Sequence, residues 1–183
     1  GHRARGIHVG PRGTRPDVWM LCSSPQSAAF AGAMGLKLAF ADFLAPGGAG
    51  TALAAYRQAF KPSAFAAAPY TAVGLSALAV EKEADIARIA SPLRAWAATR
   101  GTGDTSPFLP EEEALGIVNA LPPEANAMIE QRGIVGTALD VAQRLSGFAA
   151  RHGADELFIL TVTERLDDRI RSYELIAEEM AKA

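Results

Sequence analysis

Apolar runs alternate with segments of helical periodicity along most of the chain. Val18 to Cys22 is a continuous apolar run that breaks into Ser23-Ser24-Pro25. A run of this length bounded by turn residues reads as a strand buried on both faces. Ser23 or Ser24 can cap the Ala-rich helix that follows and runs to Met34, Pro25 suits its first turn, and Ser27 points back from that turn. Leu38 to Ala41 follows Gly35-Leu36 at the distance of a second parallel strand. Thr51 to Phe60 predicts a short helix with Ala52, Leu53, Tyr56 and Phe60 on one side, and Tyr70 to Val80 is β-like. Glu83 to Thr99 is a helical pattern carrying Ile86, Ile89, Ala90, Leu93 and Trp96 or Ala97, with Pro92 bending or splitting it. Glu111 to Ala120 and Glu124 to Glu130 are short helices separated by Leu121-Pro122-Pro123. Ala138 to His152 is an amphipathic helix stopped by Gly153, Leu157 to Val162 is the last strand, and Asp167 to Ala181 is the closing helix.

Between these elements lie Gly- and Pro-containing stretches. Gly1 to Arg15 has only Ile7-His8-Val9 as an apolar alternation before a Pro-Arg-Gly turn; Ala45 to Gly50, Lys61 to Pro69 and Gly101 to Pro110 read as loops. The strand–helix alternation favours α/β over separate layers. The four apolar runs should be parallel neighbours in one curved sheet with helices outside, joined by right-handed crossovers. No internal repeat of 20 to 50 residues is visible.

The first strand-turn-helix carries the most chemistry. Ser23, Ser24 and Ser27 bring three hydroxyls and several free backbone N–H groups to one helix N-terminus, a ready site for a phosphate. Simple helix capping uses the same residues, and the two roles are compatible.

The same residues carry a resemblance. Val18 to Ala41 resembles the central segment of the bacterial luciferase-like monooxygenases, with an apolar strand, a Gly-Ser-Ser turn, an Ala-rich helix, Gly-Leu and a Phe-Ala strand. Tyr56-Arg57 with Phe60 and Pro62 resembles that family's Tyr-Arg, Phe and Pro insertion. Ile134-Val135-Gly136-Thr137 resembles its Ile-x-Gly-Thr turn, Asp155-Glu156-Leu157 the start of its last barrel strand, and Arg169 with Ser172-Tyr173-Glu174-Leu175 its last helix. Cys22 stands where the family usually has Gly, so a thiol narrows the turn or shifts the phosphate.

The resemblance implies the C-terminal half of a TIM (β/α)8 barrel, strands 5–8. Residues 1–183 would form a single half domain, with an insertion at 42–70 and a loop and helical segment at 101–137. A whole barrel needs about 250 residues, so the first four strands are missing; a fragment, a second chain and a reduced fold all remain open. It implies a cytoplasmic bacterial flavoprotein, an oxidoreductase in which reduced FMN, ahead of F420, reacts with O2 to oxidise a small organic substrate. A flavin reductase would supply the FMN, whose phosphate would meet Cys22, Ser23, Ser24 and Ser27. Phe40 could flank the flavin ring, and Tyr56-Arg57 could belong to a mobile insertion near the site. No catalytic residue is identified, since the ring-binding residues would lie largely in the missing half. The competing reading is a non-catalytic half-barrel that binds flavin phosphate or acts as a structural and interaction partner. Exposed barrel edges would drive either form to pair with its N-terminal half or a second copy.

Composition narrows the partners. Apolar residues are 49% and charged residues 21%, which suits a globular domain, and a net charge of −2 without a basic block argues against nucleic acid. No run of eighteen apolar residues exists, so no membrane span is expected, and Arg3, Arg5 and Arg12 are followed by no signal-peptide core. A single cysteine allows no internal disulfide, which suits a reducing cytoplasm. His2, His8 and His152 have no partners at metal-ligand spacing, and Glu111-Glu112-Glu113 reads as a solvated helix start, so no metal site is expected. Cys22 reads as a small buried hydrophobe, and Trp96, Phe40 and Phe43 as core or barrel-mouth residues.

Overall fold

In the computed structural model residue 3, residues 16–99 and residues 108–182 are described. His2, His8, the Ile7–Val9 piece, the Pro-Arg-Gly turn and most of the 101–110 loop lie outside them. Five strands form one parallel sheet: β1 (Trp19–Cys22), β2 (Lys37–Ala41), β3 (Thr71–Val80), β4 (Ile134–Thr137) and β5 (Glu156–Leu160). The helices are α1 (Pro25–Ala33), α2 (Ala49–Ala59), α3 (Ile86–Thr99), α4 (Glu111–Asn119), α5 (Pro123–Glu130), α6 (Ala138–His152) and α7 (Leu166–Met180).

The four runs read from the sequence as strands are parallel neighbours, in the order β1-β2-β3-β5. Ile134–Thr137 departs from the expected turn and is a strand. The reason lies in β3, whose ten residues outrun its neighbours. Ala72–Ser76 of β3 pair with β5, and Ala77–Val80 pair with Ile134–Thr137. Side chains take over where β5 stops. Thr161 Oγ1 donates to the Ala77 carbonyl at 2.7 Å, and the Ala79 N–H donates to Ser172 Oγ at 2.9 Å. Those two hydroxyls keep the buried end of β3 satisfied. They also explain why the apolar run to Val162 leaves the ladder at Leu160.

Helices cover one face of the sheet. Cys22, Leu38, Phe40, Val73 and Leu75 point into a core with Ala28 and Ala31 of α1, Leu53 and Tyr56 of α2, Val141 and Leu145 of α6, and Leu175 and Ile176 of α7. Residues 42–70, read as an insertion, carry α2, and this helix is the crossover from β2 to β3. The opposite face carries the alternate residues. Leu21, Ala39 and Ala72 share one row, Gly74 and Phe158 the next, Ser76 and Leu160 a third. Leu21 is 71% exposed, Phe158 54% and Leu160 40%. The expectation that Val18–Cys22 is buried on both faces therefore fails for this chain: only the Met20–Cys22 side is covered.

Residues 81–133 leave the sheet after β3 and form a helical cap before returning as β4. After a short 3-10 turn at Glu83–Asp85, α3 runs through Pro92 without splitting. Proline at position 92 removes the N–H that the Arg88 carbonyl would accept. The Ser91 hydroxyl donates to that carbonyl at 2.7 Å instead. The cap has small cores of its own, Leu78, Val80, Ile89 and Ala90 in one and Ala95, Ala114 and Val118 in another. Helix α6 stops as expected at Gly153, whose φ of 61° is left-handed and favours glycine.

Candidate functional site

All five strands point the same way, so their carboxyl ends form one rim, the edge at which parallel α/β proteins place their ligands. At one end of it β1 runs into α1. Ser24 is the N-cap in extended conformation, and Pro25 occupies the first helical position. Ser24 Oγ accepts from the Ser27 N–H at 3.2 Å, and Ser27 Oγ donates to the Ser24 carbonyl at 3.0 Å. The two hydroxyl oxygens are 2.9 Å apart. Ser23 is exposed one residue earlier. The capping expected of Ser24 is therefore present, and the hydroxyls of Ser24 and Ser27 do come together.

The free donors are fewer than the pattern promised. Pro25 has no N–H, and that of Ser27 is taken by Ser24. In the first turn the Gln26 N–H remains, joined by the Ser23 hydroxyl and by the Ser24 hydrogen if a ligand oxygen replaces Ser27 Oγ as its acceptor. All of these donors are neutral. They fit a phosphate group at a positive helix terminus without supplying a full charge. Cys22 is buried, 3% exposed, on the helix-covered face. Burial pushes its thiol up from the ordinary range, against a smaller opposite pull from a hydrogen bond with Ser27. It behaves as a small hydrophobe under the turn and stays protonated at neutral pH.

Three residues that the resemblance offered near the site, Phe40, Tyr56 and Arg57, lie elsewhere. Phe40 is 1% exposed on the helix-covered side, so it cannot flank a ring on the open face. The alternation of side chains settles this: Phe40 shares a register row with Cys22 and Val73. Tyr56 and Arg57 sit at the opposite, amino end of the strands. The Tyr56 hydroxyl donates to the Leu36 carbonyl at 2.9 Å and accepts from the Tyr70 N–H at 3.1 Å, just before β2 and β3 begin. Arg57 donates to the carbonyls of His152 and Gly153, satisfying the end of α6. The Tyr-Arg pair is thus a structural clamp. The His152 ring lies against that of Phe148, centroids 4.6 Å apart and planes tilted at 57°. Among the described residues no cluster of His, Cys, Asp and Glu could hold a metal ion, and no helix is long and apolar enough to cross a membrane.

A larger concavity lies farther along the rim and was not anticipated. A cavity of about 670 Å3 opens between the ends of β3 and β5, the Phe43–Leu44 turn after β2, and helices α3 and α5 of the cap. Phe43 reaches it by folding over the open face: a Cβ added at Gly74 would meet its ring at 3.1 Å. Trp96 and Phe108 form a stacked pair in the wall, centroids 5.6 Å apart and planes at 20°. The sequence offered the barrel-mouth placement of Trp96 and Phe43 and the separate helices of the cap, but nothing in it showed that these helices fold back over the strand ends.

Similarity to known proteins was consistent with this architecture. No family model matches the chain. It is 31% identical to the uncharacterized protein YwcH of Bacillus subtilis over 184 residues, covering 98% of this chain and 55% of that protein. It is 28% identical to a luciferase-like monooxygenase of Escherichia coli over 181 residues, 92% of this chain and 51% of that one. The chain thus has luciferase-like monooxygenases among its homologues, at low identity, and spans about half their length. The crystal structure of apo-MsnO8 superposes with a TM-score of 0.87 at 28% identity, over 97% of this chain and 55% of that one. Two more distant structures share the fold alone. One is the oxygenating constituent of 3,6-diketocamphane monooxygenase from Pseudomonas putida in complex with FMN (TM-score 0.59, 15% identity, 93% of this chain, 49% of that one). The other is an F420-dependent secondary alcohol dehydrogenase (TM-score 0.54, 14% identity, 92% and 50%).

Proposed function

We propose that this chain is the C-terminal half of a luciferase-like (β/α)8 barrel, strands 5–8, and that the whole protein is a flavin-dependent monooxygenase. The sheet supports the barrel reading. Helices α1, α2, α6 and α7 lie on one face; on the other, α3 covers only the far end of β3 at Leu78 and Val80, and Leu21, Phe158 and Leu160 remain exposed. The flanks agree. Phe30 and Met34 are exposed on α1 beside the β1 edge, and Ile170 and Tyr173 on α7 beside the β5 edge, where further barrel helices would pack. Four more strands would close the sheet and turn the open face inward, where barrels are filled by side chains. The homologues are about twice as long, which leaves room for those strands.

The observation that carries the cofactor assignment is the joined pair of Ser24 and Ser27 hydroxyls on the first turn of α1 at the carboxyl end of β1. In this reading Ser23, Ser24, Ser27 and the Gln26 N–H hold the phosphate of FMN, and Cys22 packs beneath them. F420, also a phosphorylated flavin analogue, is the second choice. Reduced flavin would supply the reaction with O2 and the oxidation of an organic substrate. This chain would anchor the phosphate, bound the substrate space with the cap and exclude water from it. A reductase would deliver the reduced flavin.

The test is a titration of FMN and of riboflavin against the full-length wild type and Ser24→Ala. Hydrogen bonds to a charged phosphate contribute about 1.5–3 kcal/mol each, so Ser24→Ala should weaken FMN binding roughly tenfold or more. Riboflavin, lacking the phosphate, should bind both proteins alike. Equal FMN affinities would reduce these serines to a helix cap and leave the flavin assignment resting on resemblance alone.

A further inference from the structure

The cap cavity has a chemistry that the phosphate site does not explain. Its walls come from three separate parts of the chain: the strand ends Leu78 and Leu160, the Phe43 turn, and the Trp96–Phe108 pair held by α3. The lining is mostly apolar and partly aromatic, and the volume falls within the range of small-molecule sites, roughly 300–1,000 Å3. Charged groups among the lining residues come from α3, α5 and the turn before β4. Arg94 pairs with Glu130 at 3.4 Å, and Arg132 is exposed beside them. A cavity built this way offers stacking surfaces inside and, at its edge, an arginine without an ion pair among the described residues.

We propose that this cavity binds the organic substrate, and that the substrate is a flat, largely apolar ring system with one acidic group directed toward Arg132. The proposal rests on the monooxygenase reading for its role, but not for its ligand chemistry. Neighbouring strands are spaced about 4.8 Å apart, so the α1 turn over β1 and the cavity over β3 are about 10 Å from each other along the rim. A ribityl chain spans a comparable distance, so a flavin held by its phosphate at the first would bring its ring to the near edge of the second, whose volume of about 670 Å3 leaves room for a further flat molecule. The apolar walls favour a rigid aromatic body over a flexible chain, because stacking on Trp96 and Phe108 needs a flat partner and little conformational entropy is lost.

The chain contains two tryptophans, which makes the site easy to read. Trp96 stands in the cavity, whereas Trp19 packs against Tyr70 and Lys37 near the amino end of the sheet. In the full-length protein, 2-naphthoate should quench tryptophan emission saturably, and Trp96→Phe should remove a clear part of that saturable quenching. Ala97→Phe from α3 and Leu160→Phe from β5 fill the cavity from opposite walls. At least one that retains the wild-type circular dichroism should weaken 2-naphthoate about tenfold or more. Arg132→Gln should erase the preference for 2-naphthoate over its neutral methyl ester. FMN, titrated in the same samples, should bind without displacing 2-naphthoate. The proposal is overturned if quenching is not saturable, if Trp96→Phe leaves its amplitude unchanged, or if the folded wall variants bind as wild type does. It is also overturned if acid and ester bind the wild type equally, or if FMN displaces the probe, which would make the cavity the seat of the flavin ring. Loss of FMN binding in Ser24→Ala alone would bear on the cofactor site and leave this result unaffected.

Discussion

The two faces of one sheet are built from the same strands and have opposite fates. On one, Leu38, Phe40 and Val73 are at most 1% exposed beneath α1, α2, α6 and α7. On the other, one residue along each strand, Leu21, Phe158 and Leu160 stand in solvent among alanines, Gly74 and Ser76. Apolar composition is therefore common to both, and coverage separates them. A sheet face of this kind, with parallel strands and large apolar side chains, belongs against other apolar groups. The helix-covered face accounts for the fold of this chain, and the open face is the one that the proposed half-barrel would cover with further strands.

The strongest test of that contrast is a pair of leucine truncations on neighbouring strands. Leu38→Ala should destabilise the protein by about 2–5 kcal/mol, the usual cost of emptying a filled core position. Leu21→Ala in this chain should stay within about 0.5 kcal/mol. Urea denaturation measures both. The same Leu21→Ala in the full-length protein should move toward the Leu38 value if further strands cover that face; an unchanged small effect would break the half-barrel reading.

Tyr56→Phe comes next. Its hydroxyl serves the Leu36 carbonyl and the Tyr70 N–H at the entrance to β2 and β3, and losing it leaves buried groups unpaired, a cost of about 1–3 kcal/mol. Burial is the main reason the Tyr56 hydroxyl is pushed up from its ordinary value. The folded state thus keeps this proton to higher pH than the unfolded chain does. Its contribution is complete below the unfolded pKa, near 10, and is lost as pH rises through the folded value. Wild type should lose stability over that alkaline interval more steeply than Tyr56→Phe, as thermal melts across pH would show.

The smallest effect is chemical. Cys22, buried with its thiol pushed up, should react slowly with iodoacetamide at pH 8 and far faster once the protein is unfolded in urea. Fast labelling of the native chain would place Cys22 on the open side and undo the assignment of faces.

Much of this arrangement was legible in the sequence where local signals agree with the global fold. Val18–Cys22, the Ser24 cap, Pro25 and the Ala-rich helix are consistent with one another, and their strand-helix-strand unit is present as read. The face of each strand was less legible. A continuous apolar run carries no alternation to show which side is covered, so Leu21 was read as buried, and Phe40 was left between core and barrel mouth, of which the core is observed. Tyr56-Arg57 misled for a related reason: sequence order places a residue on a helix but not at which end of the sheet that helix finishes. Ile134–Thr137 was missed as a strand because its four residues pair only with the far half of β3. The cavity depends on three distant segments meeting, and no spacing within any of them announces it.

That change of partners along β3 has a consequence for how such proteins diversify. The chain leaves the sheet after Val80 and returns at Ile134, hydrogen-bonded beside the strand it left, with Val80 level with Thr137. Everything between begins and ends on neighbouring strands, the return at Ile134 lying beside Ala77, three residues back from Val80. Closing such an excursion costs only about 0.6 kcal/mol more for each doubling of its length. Thr161 and Ser172 seal the other side of β3 independently of it. The cap can therefore be lengthened, trimmed or exchanged in descent while the sheet and the α1 turn stay as they are, so selectivity can drift without the scaffold being rebuilt.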